Sequence, residues 1–196
     1  MIRAAIFDLD GTITEPLLDF DEIRRQMGLA RDAGPILEAM GRMTDEQRRS
    51  AEDILRIHED RAVAESTLNP GARPTLEALR ARGIAVGILT RNTRANALAV
   101  ATKHALEFDG VVDRSDGPIK PDSFGVRRLC ESFGVSPDEA MVVGDYFFDL
   151  LSAHAAGAGA ALLLHPGINE QYAAFADYPL ARLDDLVRII DNINRK

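Results

Sequence analysis

Apolar residues follow two periods along most of this chain. Short apolar runs at residues 4–7, 84–89, 111–112, 140–143 and 160–164 have the length and character of buried strands. The first reads as a strand over residues 2–8. Between the runs, the pattern predicts helices over 76–82, from a cap at Asn92 or Thr93 to 104, over 122–133, over 147–156 and over 184–194. Gly83 and Gly134 supply C-terminal stops. Strands that alternate with helices imply a parallel sheet covered on both faces.

Residues 15–68 differ in character. They are rich in charge and read as helical throughout. Asp19 or Asp21 caps one helix that ends near Gly28, and a second spans about 35–40. Thr44 with Gln47 three residues later is a capping box, and it opens a long helix through Arg48, Leu55 and Ala62. Asn69-Pro70-Gly71 halts the helical pattern. The expected organisation is one α/β core over 1–14 and 69–196, with a small helical insert over 15–68 just after the first strand. No internal repeat and no low-complexity linker is evident.

Composition narrows the picture. The chain has 196 residues, 46% of them hydrophobic, enough for one full core and a small inserted lobe. A net charge of −8 without a basic run argues against a nucleic-acid partner. One cysteine, Cys130, excludes an intrachain disulfide and fits a reducing compartment. Its place in an amphipathic helix makes it a core residue. No run approaches the roughly 20 apolar residues that span a bilayer, and Asp8 and Asp10 break any signal-peptide layout. The expectation is a soluble cytoplasmic protein without membrane contact, a monomer or weak homodimer.

The chemistry begins where the first strand ends. Asp8-Leu9-Asp10-Gly11-Thr12 sets two carboxylates two residues apart. If extended geometry persists through Leu9, both approach one site, and they repel unless a cation or a shared proton relieves them. Thr90 ends the second strand, Lys120-Pro121 precedes a helix, and Asp145 follows Val142-Val143-Gly144 with Asp149 four residues on. In a parallel α/β sheet the strand carboxyl ends share one edge, where ligands bind.

This ordered set resembles the motifs of the haloacid dehalogenase superfamily, in particular its phosphoglycolate phosphatase branch. The match covers the whole chain outside residues 15–68. The resemblance implies a Rossmann-like sheet of strand order 5-4-1-2-3 and a role for the insert as a substrate cap. It implies that Asp8 is a nucleophile toward phosphorus and Asp10 the general acid and then base. It assigns phosphate binding to Thr90, Lys120, Arg91, Asn92 and the backbone near Leu9 and Gly11, and Mg²⁺ binding to Asp8, Asp10, Asp145 and Asp149, with Asp10 giving its carbonyl. The implied substrate is a small phosphorylated metabolite of the phosphoglycolate kind.

Some residues depart from the pattern. Glu15 and Ser123 stand where relatives often carry Asp and a second Pro, and Tyr146-Phe147-Phe148 is bulkier than usual. Phe147 or Phe148 is expected to pack between helix and sheet. Gly157-Ala158-Gly159 ends a helix rather than binding a dinucleotide, His154 and His165 are structural or exposed, and Arg24, Arg25, Arg48 and Arg49 lie on solvated faces. A phosphomutase, a phospho-aspartate signalling protein and a silent binding relative remain as alternatives. Asp10 disfavours a dehalogenase.

Overall fold

The structure, a computed structural model, describes residues 1–195. The chain forms two compact units, one of Met1–Pro16 with Thr67–Lys196 and one of Leu17–Ser66. The larger unit is built on β1 (Ala4–Phe7), β2 (Ala85–Leu89), β3 (Gly110–Val112), β4 (Ala140–Gly144), β5 (Gly159–Leu163) and β6 (Tyr178–Leu180). All are parallel neighbours in the order β3-β2-β1-β4-β5-β6. Read from the opposite edge, the first five strands keep the expected order. The short apolar runs do not predict β6, a three-residue strand with Pro179 at its centre. It lies at the sheet edge, where a missing backbone N–H is tolerated.

The strands are apolar without interruption because both faces of the sheet are covered. Ala4 and Ile6 of β1 share one apolar cluster with Ala140, Val142, Ala160 and Leu162 of the neighbouring strands. Alternation sends Ala5 and Phe7, which are also fully buried, to the other face.

The smaller unit contains α1 (Phe20–Gln26), α2 (Ile36–Met40) and α3 (Asp45–Glu65). Asp19 caps α1 by accepting from the Glu22 N–H. The Thr44/Gln47 capping box at the start of α3 is present in both directions. Ile23, Ile36, Met40, Ala51 and Leu55 form the unit's own apolar cluster.

In the larger unit, α4 (Ala72–Ala81) starts four residues earlier than expected, with Pro74 in its first turn, where a missing N–H breaks no helical hydrogen bond. Thr93 caps α5 (Arg94–Lys103). Next, α6 (Phe124–Phe133) starts two residues late, because Asp122 Oδ1 instead accepts the Phe124 N–H at 2.7 Å. Gly157 ends α7 (Phe147–Ala156) in the left-handed region, so the G-x-G closes a helix as expected. The last helix is α8 (Asp185–Asn194). Cys130 is buried on α6 and burial pushes its thiol up to about 11, which suits a core residue. Among the described residues no helix is long and apolar enough to cross a membrane.

Register places the chemistry. Phe7 lies level with Ile88 and Val143. The Asp8 N–H still donates to Val143 O at 2.9 Å, so the ladder continues one residue past β1. Asp8, Thr90 and Asp145 therefore leave the sheet together at its carboxyl edge.

Ile6→Ala is expected to lower stability by about 2–5 kcal/mol through the cavity it leaves beneath α6 and α7. The exposed Leu98→Ala should change it by less than about 0.5 kcal/mol. Urea midpoints of the two variants compare the effects.

Candidate active site

The centre of the sheet edge is a buried ammonium between two carboxylates. Lys120 Nζ donates to Asp8 Oδ1 at 2.6 Å and to Asp149 Oδ1 at 2.7 Å. Lys120 and Asp149 are only 4% and 2% exposed, so the bond between them is shielded from solvent, while Asp8 is partly exposed. Burial alone would lower the lysine pKa, but Asp149 and Asp8 outweigh it and hold Lys120 above the ordinary lysine value. Asp149 reaches Lys120 from the first turn of α7, and its Oδ2 accepts the Tyr146 N–H at 3.1 Å.

Asp145 is the third carboxylate. Its oxygens and those of Asp8 and Asp149 include one from each that all lie within 4.8 Å of one another. Two glycines make the crowding possible. A Cβ on Gly11, whose φ is +89°, would lie 2.3 Å from Asp145 Oδ2, and one on Gly144 would lie 2.1 Å from Asp149 Cγ. Burial first, then the charges of Asp8 and Asp149, pushes Asp145 well above the usual carboxylate range. Burial also raises Asp149, against the pull of Lys120 and with help from Asp8, to about 6.

This donor set fits a hard divalent cation. One ammonium offsets one of three clustered carboxylates, and oxygen-only donors suit Mg²⁺. Both Asp149 oxygens already accept hydrogen bonds. Asp145 Oδ1, by contrast, has only a long 3.3 Å bond from Thr12 Oγ1. Asp145 is thus the better candidate for direct ligation. Asp10 lies outside the three-carboxylate cluster, and its Oδ2 accepts from Asn92 Nδ2 at 3.0 Å.

The other expected residues take these places. Thr90 is buried, and its Oγ1 accepts the Asn92 N–H at 2.9 Å, which leaves the hydroxyl hydrogen to donate. Arg91 donates to Lys120 O at 2.7 Å and its guanidinium lies 4.9 Å from the Phe148 ring centre. The Leu9 side chain is buried, while its carbonyl accepts the N–H groups of Thr12, Ile13 and Thr14 and so closes the turn after β1. Phe147 and Phe148 do not fill the space between helix and sheet as expected. They are half-buried in an aromatic group: Phe147 packs on Tyr172 and Phe175, and Phe148 on Tyr146. The segment Glu170–Phe175, a 3-10 turn that apolar periodicity does not reveal, supplies two of these rings.

Sequence reasoning gave Thr12 and Asn69 no role at the site. Asn69 is buried and its amide donates to Gly11 O, Thr12 O and Thr14 O at 2.8–2.9 Å, fastening the turn that carries Asp8 and Asp10. Its Asn-Pro-Gly context signals only the end of a helix. No local feature announces a partner more than fifty residues away.

The haloacid dehalogenase-like hydrolase family matches residues 2–157. An uncharacterised hydrolase of Saccharomyces cerevisiae is 26% identical, with 100% of this chain and 94% of that protein aligned. A phosphoglycolate phosphatase of Rhodospirillum rubrum is 29% identical over 97% of this chain and 90% of its own. The crystal structure of a β-phosphoglucomutase from Clostridium difficile superposes with a TM-score of 0.81 at 18% identity, covering 100% of this chain and 98% of that one, a likeness of fold alone. The family match takes in well over half of the sequence, so this chain belongs to the haloacid dehalogenase-like hydrolases.

Proposed function

We propose that this hydrolase is a Mg²⁺-dependent phosphatase that cleaves a small phosphomonoester through an aspartyl phosphate on Asp8. The observation that carries the reading is the buried Lys120 ammonium, 2.6 Å from Asp8 and 2.7 Å from Asp149. Phosphoryl transfer is catalysed mainly by positioning and charge neutralisation. Lys120 orients the Asp8 carboxylate and presents fixed positive charge to an incoming phosphate.

An Asp8 oxygen bonds to phosphorus as the ester P–O bond breaks, and the departing alkoxide takes the proton of Asp10. Asp10, now a carboxylate, removes a proton from the water that attacks phosphorus. Inorganic phosphate leaves, Asp8 is restored, and Asp10 carries a proton again. Asn92 holds the Asp10 carboxyl in place. The Thr90 hydroxyl, Arg91 and the backbone N–H groups near Leu9 and Gly11 complete the anion cradle. Asp8, Asp145 and the Asp10 carbonyl would hold Mg²⁺, with Asp149 as an outer partner. When bound, the ion supplies charge that screens Asp8 from the phosphate anion.

The unit Leu17–Ser66 is assigned the role of a cap that selects the leaving group. The likeness to a phosphoglycolate phosphatase over nearly the whole chain supports a small anionic phosphomonoester as substrate. The single cysteine is consistent with work in the cytoplasm.

Asp8→Asn should reduce phosphate release by at least about a thousandfold with an unchanged far-UV circular dichroism spectrum. Wild-type rates in that variant would overturn the nucleophile assignment. Asp10→Asn should slow release by roughly 10²–10⁴-fold, measured across a panel of phosphorylated metabolites with and without Mg²⁺. Isomerised product without free phosphate would instead mark a mutase.

The pH dependence follows from the raised acids. Asp149, at about 6, is protonated at pH 5 and ionised at pH 7.5, and Asp145 is shifted in the same direction. In metal-free protein the stability gained from the Asp149 shift is full below 3.8 and is lost as pH climbs through about 6. A cation competes with these protons. Thermal melts should show a larger Mg²⁺-induced rise in Tm at pH 7.5 than at pH 5, and an equal rise at both would contradict the ligand set.

A further inference from the structure

The segment after β5 sends two side chains back to the catalytic edge. His165 Nε2 lies 2.7 Å from Gly11 O. A carbonyl only accepts, so Nε2 carries its hydrogen and donates. Gly11 O also accepts from Asn69 Nδ2 at 2.9 Å, so donors from two distant segments converge on this one oxygen. Asn169, 2% exposed, takes the His165 N–H on Oδ1 at 2.8 Å. Its Nδ2 donates to Asp145 O at 2.7 Å and to Leu163 O at 2.8 Å. The same two residues therefore hold the Gly11 peptide and the Asp145 backbone.

Those two points touch each other. The Asp145 carboxylate occupies the space that a Cβ on Gly11 would fill. His165 Nε2 lies 3.9 Å from Asp145 Oδ2. A rotation of the Gly11 peptide would move the surface against which Asp145 rests. Outer partners of metal ligands act in this way, by fixing ligand orientation before the ion arrives.

We infer that His165, itself set by Asn169, is a positioning residue for the cation site: it locks the Gly11 peptide against Asp145 so that Asp8 and Asp145 are prearranged for a divalent ion. The inference rests on the Mg²⁺ reading above and adds to it a residue of the loop after β5.

The test is isothermal titration of Mg²⁺ into substrate-free protein for the wild type, His165→Ala and His165→Gln, with thermal melts of each in EDTA. Glutamine can place an amide donor near the position of Nε2. His165→Ala should bind Mg²⁺ about tenfold more weakly, and His165→Gln within roughly threefold of wild type, with all three melting alike without metal. Wild-type affinity in His165→Ala overturns the inference while leaving the Mg²⁺ reading intact. So does weakened binding that His165→Gln fails to rescue and that comes with an earlier metal-free melt, since that marks a structural role. A wild-type protein that binds no Mg²⁺ removes the underlying reading, and the inference falls with it.

Discussion

The buried ammonium of Lys120 is the constraint on which the carboxyl edge of the sheet depends. A lone lysine at that depth would be costly to keep charged, and the carboxylates around it would repel one another if the lysine were absent. Together they fasten three parts of the chain: the end of β1 through Asp8, the segment before α6 through Lys120 itself, and the first turn of α7 through Asp149. Each part is anchored independently by the parallel sheet or by a helix packed on it. The geometry of the charges is therefore inherited from the apolar core.

The same arrangement leaves an imbalance. Three carboxylates face one ammonium, and the glycines at 11 and 144 allow them to stand closer than any residue with a Cβ would permit. Burial raises the protonation of Asp145 and Asp149 rather than removing the strain between them. In the proposed reading, a cation taking the place of these protons lets a phosphate dianion approach a carboxylate, which in water would repel it. Precision at this edge comes from backbone anchors such as Asn69 as much as from the charged groups themselves.

Much of the architecture was legible in the residues. The apolar runs marked β1 to β5 because a strand covered on both faces has no polar alternation to blur it. The caps at Asp19, Thr44 and Thr93 were readable because capping is a contact between near neighbours. Misreadings fell where tertiary packing overrides local preference. Three residues with a central proline become β6 only because β5 offers an edge to pair with. Phe147 finds aromatic partners instead of the sheet because the turn Glu170–Phe175 lies beside it, and Phe148 meets Tyr146 and Arg91.

By itself, the sequence determined which groups stand at the strand ends, Asp8, Thr90 and Asp145, since strand period and strand end are properties of a few consecutive residues. It also fixed the excess of carboxylate over ammonium. Only the tertiary structure decided how those groups are shared: that Asp149 turns to Lys120, that Asn92 takes Asp10, and that Asn69 and His165 meet on one carbonyl of Gly11. Those pairings join residues between 29 and 154 positions apart. A hydrogen bond depends on distances held to within a few tenths of an ångström, which no spacing in a one-dimensional chain specifies.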